Sequence, residues 1–555
     1  MKAKNRNIFS LLILICGVML GYYFQKNQKM IEKLDSSSHE VGKLKYENIL
    51  NTIQEKKMLF SGNAFYQSDA CVRELNHLYD LIYPLKVTDF DQTNVGFHFL
   101  DVLRSLFNFR VQMRESFQKH YFEGSTSAEC AFAHRRVFRS LRVLEDFVGI
   151  YGTGMKKNIQ GLEPSQLNKK EDFFRAFEGN YENFLWNESY KPANPLAYQP
   201  QSGDVLLSRG SASVSAAIAR ITDEDSNFSH IGMIYVDPKT KSIETIEAHI
   251  ELGTVVTDIK KYKDLKVRSL VFRFRDPQKT KEENSEMAHQ AASKVRAQVL
   301  EYKSKYGSSD YPNVCYDFTM NVDNPIQMEP SKDPSKRKCL FCSEVVSLGF
   351  SLVNEGKYKI PTFFSSIKPK NRKFIEDIGV GVDKTFAPAD IEIDPYFDLV
   401  LEWRDFERVH KSHQMDAILT AVYNWMDEFD YQFFPSEEVR QKVSIGYTAR
   451  RIPLINKLFG VVEKFPLNLS KNGVQAIYLM DLIAKPLNLY IVDKEKMNNT
   501  LFTSKEMIEL LNDWRVKDLA EYSTQEPEKN YGRDQDPYKN YRFHNFFRSA
   551  EINKE

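Results

Sequence analysis

Two textures alternate along this chain. From about Asn27 to Asn187, apolar residues recur at spacings of three and four. The runs "VGFHFLDVLRSLFNFRVQMRESF" (95–117) and "CAFAHRRVFRSLRVLEDFVGIY" (130–151) are the clearest, with Arg and Lys set between the apolar positions. That period predicts amphipathic helices. No cluster of catalytic type stands out in them, and His134 reads as a solvated or partly buried helix residue. The segment reads as a helical spacer or interaction domain. A stretch with prolines at 192, 195 and 200, "NESYKPANPLAYQPQSGD", then marks a boundary. Beyond it the period shortens. "DVLLSRG", "HIGMIYV", "SIETIEAHI" and "VRSLVFRF" read as strands, "SVSAAIARIT" as a short helix, and "EENSEMAHQAASKVRAQVLEYKSKYG" as a long one. This middle region is predicted to be α+β with an antiparallel sheet. After about residue 404 helical spacing returns, and the polar end from Ser523 reads as loose. The expected organisation is a leader over 1–26, a helical domain over 27–195, a catalytic domain over 196–403 and a helical extension over 404–555.

Composition changes this picture little. At 555 residues the chain is too long for one core, and a net charge of +1 argues against a broad nucleic-acid surface. Six cysteines are too few for a disulfide scaffold at this length, although Cys71 and Cys130 could pair. The N-terminus adds one expectation. Lys2, Lys4 and Arg6 precede an uncharged run from Asn7 to Phe24, near the lower length limit of a spanning helix. No small-residue cleavage site follows, and Ile15 before Cys16 argues against lipidation. The run is therefore read as a single-pass membrane anchor, with the rest of the chain on the non-cytoplasmic side. Secretion after signal cleavage is the alternative.

Candidate chemistry gathers in the middle region. "KRKCLFCSEVV" (336–346) places Cys339 and Cys342 three apart. A helix with apolar Val345, Leu348 and Leu352 starts at or just before Cys342. A thiol there feels the positive end of the helix dipole, and Lys336, Arg337 and Lys338 push the same way, so a thiolate is expected. A cysteine nucleophile also needs a base held by a third group. His230 opens one strand and Glu247 lies in the next. If Asp237–Thr240 form a four-residue loop, Val236 pairs with Lys241 and His230 lies directly opposite Glu247. His249 shares the strand parity and is the second candidate for orienting the base.

With these residues placed, the middle region resembles a known family. "SGDVLLSRG", "FSHIGMIY", "ETIEAH", and "YDFTMN" followed by "FCSEVV" resemble, in that order, motifs of the circularly permuted branch of the NlpC-type papain-like hydrolases, the YiiX/YaeF-like amidase group. "FAPADIEIDPYFDLV" (386–400) resembles the end of its domain. The similarity spans about residues 200–403. It implies a permuted papain-like domain in which Cys342 is the nucleophile, His230 the base and Glu247 the orienting acid. Tyr316 and Asp317 match its "YD" and would shape the site. The implied reaction is thiolate attack on an amide or ester carbonyl through an acyl-thioester, with the Cys342 backbone N–H helping to hold the oxyanion. No metal or organic cofactor is required. The implied substrate is a lipid or other acyl compound, or a cell-wall peptide; the bacterial envelope is the implied setting, and a membrane the implied partner.

Three other readings stay open. Cys339 and Cys342 could form a Cys-x-x-Cys redox pair, although the βαβ setting of such a motif is missing. A zinc site would need four ligands from Cys315, Cys339, Cys342 and an unassigned histidine. Finally, the fold could serve as a non-catalytic scaffold.

Overall fold

The computed structural model describes residues 63–66, 69–85, 92–160, 183–192, 200–222, 226–262, 266–306, 314–322, 339–353, 357–367, 372–450, 469–524 and 543–551, with a few isolated positions besides. Seven antiparallel strands form the central sheet: β1 (Phe184–Trp186), β2 (Val205–Gly210), β3 (His230–Val236), β4 (Ile243–His249), β5 (Gly253–Asp258), β6 (Lys266–Phe274) and β7 (Phe397–Arg404). Their order is β1-β7-β6-β2-β3-β4-β5. The α+β class with an antiparallel sheet is thus as expected. Strands β5 and β7 were not read from the sequence. Phe184–Trp186, inside the stretch read as helical, is an edge strand paired to β7.

Among the described residues, the α-helices of seven residues or more are α1 (Ala70–Ile82), α2 (Gln92–Phe122), α3 (Ala128–Gln160), α4 (Ser213–Ala219), α5 (Lys281–Tyr306), α6 (Cys342–Ser351), α7 (Phe406–Phe429), α8 (Glu437–Ala449), α9 (Lys471–Asn498) and α10 (Ser504–Thr524). Alternation along the strands divides the sheet into two faces. Val205, Leu207, Ile231, Met233, Leu270 and Phe272 pack into the main core with the helices. Leu206, Ile234, Val271 and Val400 form a second, smaller cluster with Tyr262 and Trp186. α6 and α5 pack on β3, and α6 also on β4.

The helical region before the sheet is not a detached spacer. Leu103, Phe107, Leu141 and Leu144 of α2 and α3 belong to the same core as the strands. Several of the arginines set between them are buried and paired. Arg110 bridges Glu145 at 2.7 Å and Glu402 of β7 at 2.5 Å. Arg404 reaches Glu145 at 2.6 Å, Glu402 at 2.8 Å and Asp146 at 2.9 Å. Arg268 pairs with Asp146, Arg142 with Glu392, and His413 of α7 with Asp146. His134 is likewise fully buried: its Nδ1 lies 2.8 Å from the Cys130 carbonyl, and burial pushes its pKa down to about 4.

The membrane expectation is corrected. No helix among the described residues is long and apolar enough to cross a membrane. The long helices α2 and α3 carry the ionic network instead of an uninterrupted apolar surface. The run Asn7–Phe24 lies outside the described residues. The single-pass anchor, and the envelope or secreted placement that rested on this segment, are therefore unsupported.

The Cys71–Cys130 disulfide forms and ties α1 to α3. At the entry to β2, Gly203 has φ +84°, and a Cβ there would come within 2.4 Å of the Ala288 carbonyl oxygen. The next residue, Asp204, binds Arg273 bidentately, both contacts 2.8 Å. The "GD" pair thus sets β2 against α5 and β6.

Candidate active site

His230 and Glu247 meet, but not by the predicted register. The β3–β4 connection runs from Asp237 to Ser242, two residues longer than expected, so Val236 pairs with Ile243 and Gly232 faces Glu247. The Asp237 carboxylate accepts the Lys239 and Thr240 N–H groups, and Lys241 adopts a left-handed φ of 59°. Because the shift is two residues, side-chain parity is kept. Glu247 reaches diagonally to His230, with Nε2 to Oε2 at 2.7 Å. Gly232 leaves that diagonal open; a Cβ there would lie 3.3 Å from the Glu247 Cβ.

Glu247 is buried and fully used. Its Oε1 accepts the Thr245 hydroxyl at 3.0 Å, and His249 Nε2 lies 3.2 Å from Oε2. The two imidazoles stack with centroids 5.1 Å apart. Burial alone would raise the Glu247 pKa, but bonds from His230 and His249 outweigh it and hold the carboxyl well below its ordinary range. An ionised carboxylate only accepts, so His230 carries its proton on Nε2 and keeps a lone pair on Nδ1. Burial first, and the Lys266 ammonium next, push His230 down to about 3, so the ring is neutral. His249 thus joins the clamp as a second donor, not as a substitute for Glu247.

Cys342 is the first residue of α6. Phe341 precedes the helix in extended backbone, and the Glu344 carboxylate accepts the Phe341 N–H at 3.0 Å. The Glu of "CSE" is therefore a helix cap that fixes where the helix begins. The Ile231 N–H, next to His230 in sequence, and the Ser343 N–H and hydroxyl act on the sulfur. Among the described residues no hydrogen bond joins Sγ to the His230 ring; its side-chain contact is with Ser343 Oγ at 4.0 Å.

The expected thiolate is corrected. Cys342 is 3% exposed, and burial pushes its thiol up, against smaller opposing effects from Ile231, Ser343 and Lys266. Lys336, Arg337 and Lys338 lie outside the described residues. Burial thus favours the neutral forms of both the thiol and the imidazole.

Cys339 is not the partner of Cys342. It is disulfide-bonded to Cys315, leaving Cys342 as the free cysteine among the described residues. The pairing follows the backbone: Leu340 N–H donates to the Cys315 carbonyl at 2.9 Å, and Asp317 N–H to the Leu340 carbonyl at 3.2 Å. This removes the Cys-x-x-Cys redox pair and the three-cysteine zinc set. Tyr316 is buried, and that burial pushes its phenol well up. Asp317 turns away into a local loop, accepting the Thr319 N–H and hydroxyl, each at 2.8 Å.

Sequence reading missed Lys266. At the start of β6 its ammonium is felt by Cys342, His230 and Glu247. Burial lowers its own pKa, and it sits 4.8 Å over the Tyr262 ring. A lysine opening an apolar strand gives no sequence signal of this. Iodoacetamide labelling of Cys342 is expected to be slow at neutral pH and to rise above the free-thiol pKa of about 8.5. Lys266→Met removes a cation that favours the thiolate, so it should shift that profile upward. Peptide mapping across a pH series reads both, and an unmoved profile would take Lys266 out of the site.

Two groups of metal-type donors occur among the described residues, Cys71–Cys130–His134 and His230–Glu247–His249, each with ligand atoms within 4.8 Å. In the first, both sulfurs are spent in a disulfide. In the second, Glu247 Oε2 already serves both histidines, and a cation would displace their protons beside Lys266. No family model, curated protein or solved structure matches this chain.

Proposed function

We propose that the protein is a cysteine-dependent amide or ester hydrolase, or an acyltransferase, built on a permuted NlpC-type papain-like domain. The observation that carries this reading is the His230–Glu247 bond at 2.7 Å, on a strand whose next N–H, from Ile231, acts on the Cys342 sulfur. Glu247 fixes the tautomer and orientation of His230, as an orienting acid must. Proton transfer from Cys342 to His230 Nδ1 accompanies attack by sulfur on the carbonyl carbon. The tetrahedral adduct collapses, the C–N or C–O bond breaks, and His230 returns the proton to the leaving amine or alcohol. Water, or a second alcohol or amine, then gives a proton to His230 and attacks the thioester carbonyl; the C–S bond breaks and His230 returns the proton to the Cys342 sulfur. Lys266 contributes positive charge where the thiolate and oxyanion develop. No metal or organic cofactor enters these steps.

The test is to trap the intermediate. Brief incubation with a p-nitrophenyl ester, acid quench and intact-mass measurement should show one acyl adduct, which peptide mapping places on Cys342. Ester cleavage with the acyl group on another residue, or none on Cys342 under single-turnover conditions, would sink the assignment.

A further inference from the structure

We propose that the Cys315–Cys339 disulfide positions the nucleophile, and that its reduction by a dithiol turns the site down without unfolding the protein. This rests on the reading of Cys342 as the nucleophile. The disulfide closes a chain of contacts between the two halves of the site. On one side, His249 of β4 pairs with Gly253, the first residue of β5. The next N–H, from Thr254, donates to the Val314 carbonyl at 2.7 Å. Gly253 has φ +73° and leaves no room for a Cβ beside that carbonyl, so Val314 lies directly against the strand. Cys315 follows, and its disulfide leads to Cys339. The Leu340 N–H donates to the Cys315 carbonyl and the Leu340 carbonyl accepts from Asp317, so the disulfide and two backbone bonds clamp the same two segments. Cys342 opens α6 two residues beyond Leu340.

Two observations turn this clamp into a control. First, the aim of the sulfur depends on where α6 begins. The body of the helix is held by Val345, Leu348 and Phe350 in the core, whereas its first residue follows on the clamped segment. The Ile231 N–H that acts on the sulfur belongs to β3, a separate element. A displacement of about 1 Å at a reacting atom costs on the order of 10²-fold in rate. Second, this disulfide is the reachable one. Cys315 and Cys339 are both partly exposed, whereas Cys71 and Cys130 are 1% and 2% exposed. Exchange needs access to a sulfur, so a dithiol opens the pair beside the site first. One thiolate of the dithiol attacks a disulfide sulfur and breaks the S–S bond, and its second thiolate resolves the mixed disulfide. The dithiol is oxidised to a disulfide, and Cys315 and Cys339 take up its electrons and protons as thiols. Cys342 stays a thiol throughout.

The test uses the full chain, purified oxidised and then treated with dithiothreitol, which is removed without air before assay. Peptide mapping of blocked thiols should find Cys315 and Cys339 newly free and Cys71–Cys130 intact. With a p-nitrophenyl ester, kcat should fall about tenfold to a hundredfold, KM should change less, and oxidised glutathione should restore both. Far-ultraviolet circular dichroism should stay the same. Iodoacetamide should meanwhile label Cys342 faster, because a displaced helix start admits water to the sulfur. Slower turnover with faster labelling marks a misplaced nucleophile in an intact fold. The double variant Cys315→Ala, Cys339→Ala should match the reduced protein and ignore dithiothreitol; reduction and reoxidation of the unaltered chain decide the question without it. A disulfide that resists dithiothreitol, an unchanged kcat, unchanged Cys342 labelling, or a loss of turnover that comes with loss of the dichroism signal would each overturn the inference and leave the hydrolase reading standing. If the oxidised chain turns over no ester, the hydrolase reading fails. Labelling of Cys342 then decides the clamp alone: faster after reduction supports it, unchanged overturns it.

Discussion

Replacing Cys342 with alanine is expected to lower ester or amide turnover by a factor on the order of 10⁴ or more, the scale on which a covalent nucleophile is missed. The fold should survive, because α6 is fixed by the Glu344 cap and by Val345, Leu348 and Phe350 in the core, none of which the change touches. His230→Ala should cost about 10² to 10⁴, the usual range for a general base. It leaves Glu247 with His249 and Thr245 as partners, so the carboxylate is not orphaned. Because base and nucleophile act in one step, the double variant should be no worse than Cys342→Ala alone. Steady-state kinetics on the three variants, with far-ultraviolet circular dichroism as the folding control, decides this. If His230→Ala retains near-full activity while Cys342→Ala is dead, the base lies elsewhere. If both remain active, the site is not catalytic and the scaffold reading gains.

The site was legible to the extent that its signals are local. Strand parity placed His230 and Glu247 on one face, and parity depends only on alternation. The turn was miscounted because a left-handed Lys241 carries no mark that a turn residue such as Gly or Asn would give. An even error left the face right and the partner wrong, and the diagonal reach of glutamate restored the contact. The helix start at Cys342 was legible from its apolar stripe. The state of the thiol was not, because a sequence shows the dipole and the nearby lysines, which suggest a thiolate, but not the loss of water around sulfur, which opposes one. Cys339 shows the limit of spacing arguments: its partner is 24 residues away, chosen by backbone pairing that no local pattern encodes. The motif residues divided by task in a way that spacing cannot show. Asp204, Asp317 and Glu344 build turns and a cap, whereas Lys266, outside every motif, supplies charge at the thiol.

Arg404→Met is expected to destabilise the protein by about 3–5 kcal/mol, the cost of leaving buried charge uncompensated. The sum at this site is balanced: Arg110, Arg142, Arg268 and Arg404 against Glu145, Asp146, Glu392 and Glu402. Removing Arg404 takes a close cation from Glu145, Glu402 and Asp146 at once. Converting both Arg404 and Glu402 to methionine should cost less than the two single changes added, since each single change orphans what the other removes. Acid should reach the same network. Burial alone would raise the Glu402 pKa, but Arg110 and Arg404 outweigh it and hold it at about 2, and Asp146 is also held below its ordinary value. The stability these carboxylates give is complete above their unfolded pKa near 4 and is lost as pH falls toward 2. Urea midpoints at neutral pH and along an acid series measure both effects. A midpoint unchanged by Arg404→Met would mean that water or relaxation screens the network. The sequence could not show this network, because Arg110 and Glu402 stand 292 residues apart and each looks like an ordinary surface charge on its own element. The network also bears on the site: β7 carries Glu402 and Arg404, pairs with β6, and β6 begins at Lys266. A variant that loosens α2 and α3 from the sheet is therefore expected to move the Lys266 ammonium away from its place beside the site, so that Arg404→Met shifts the Cys342 alkylation profile in the same upward direction as Lys266→Met.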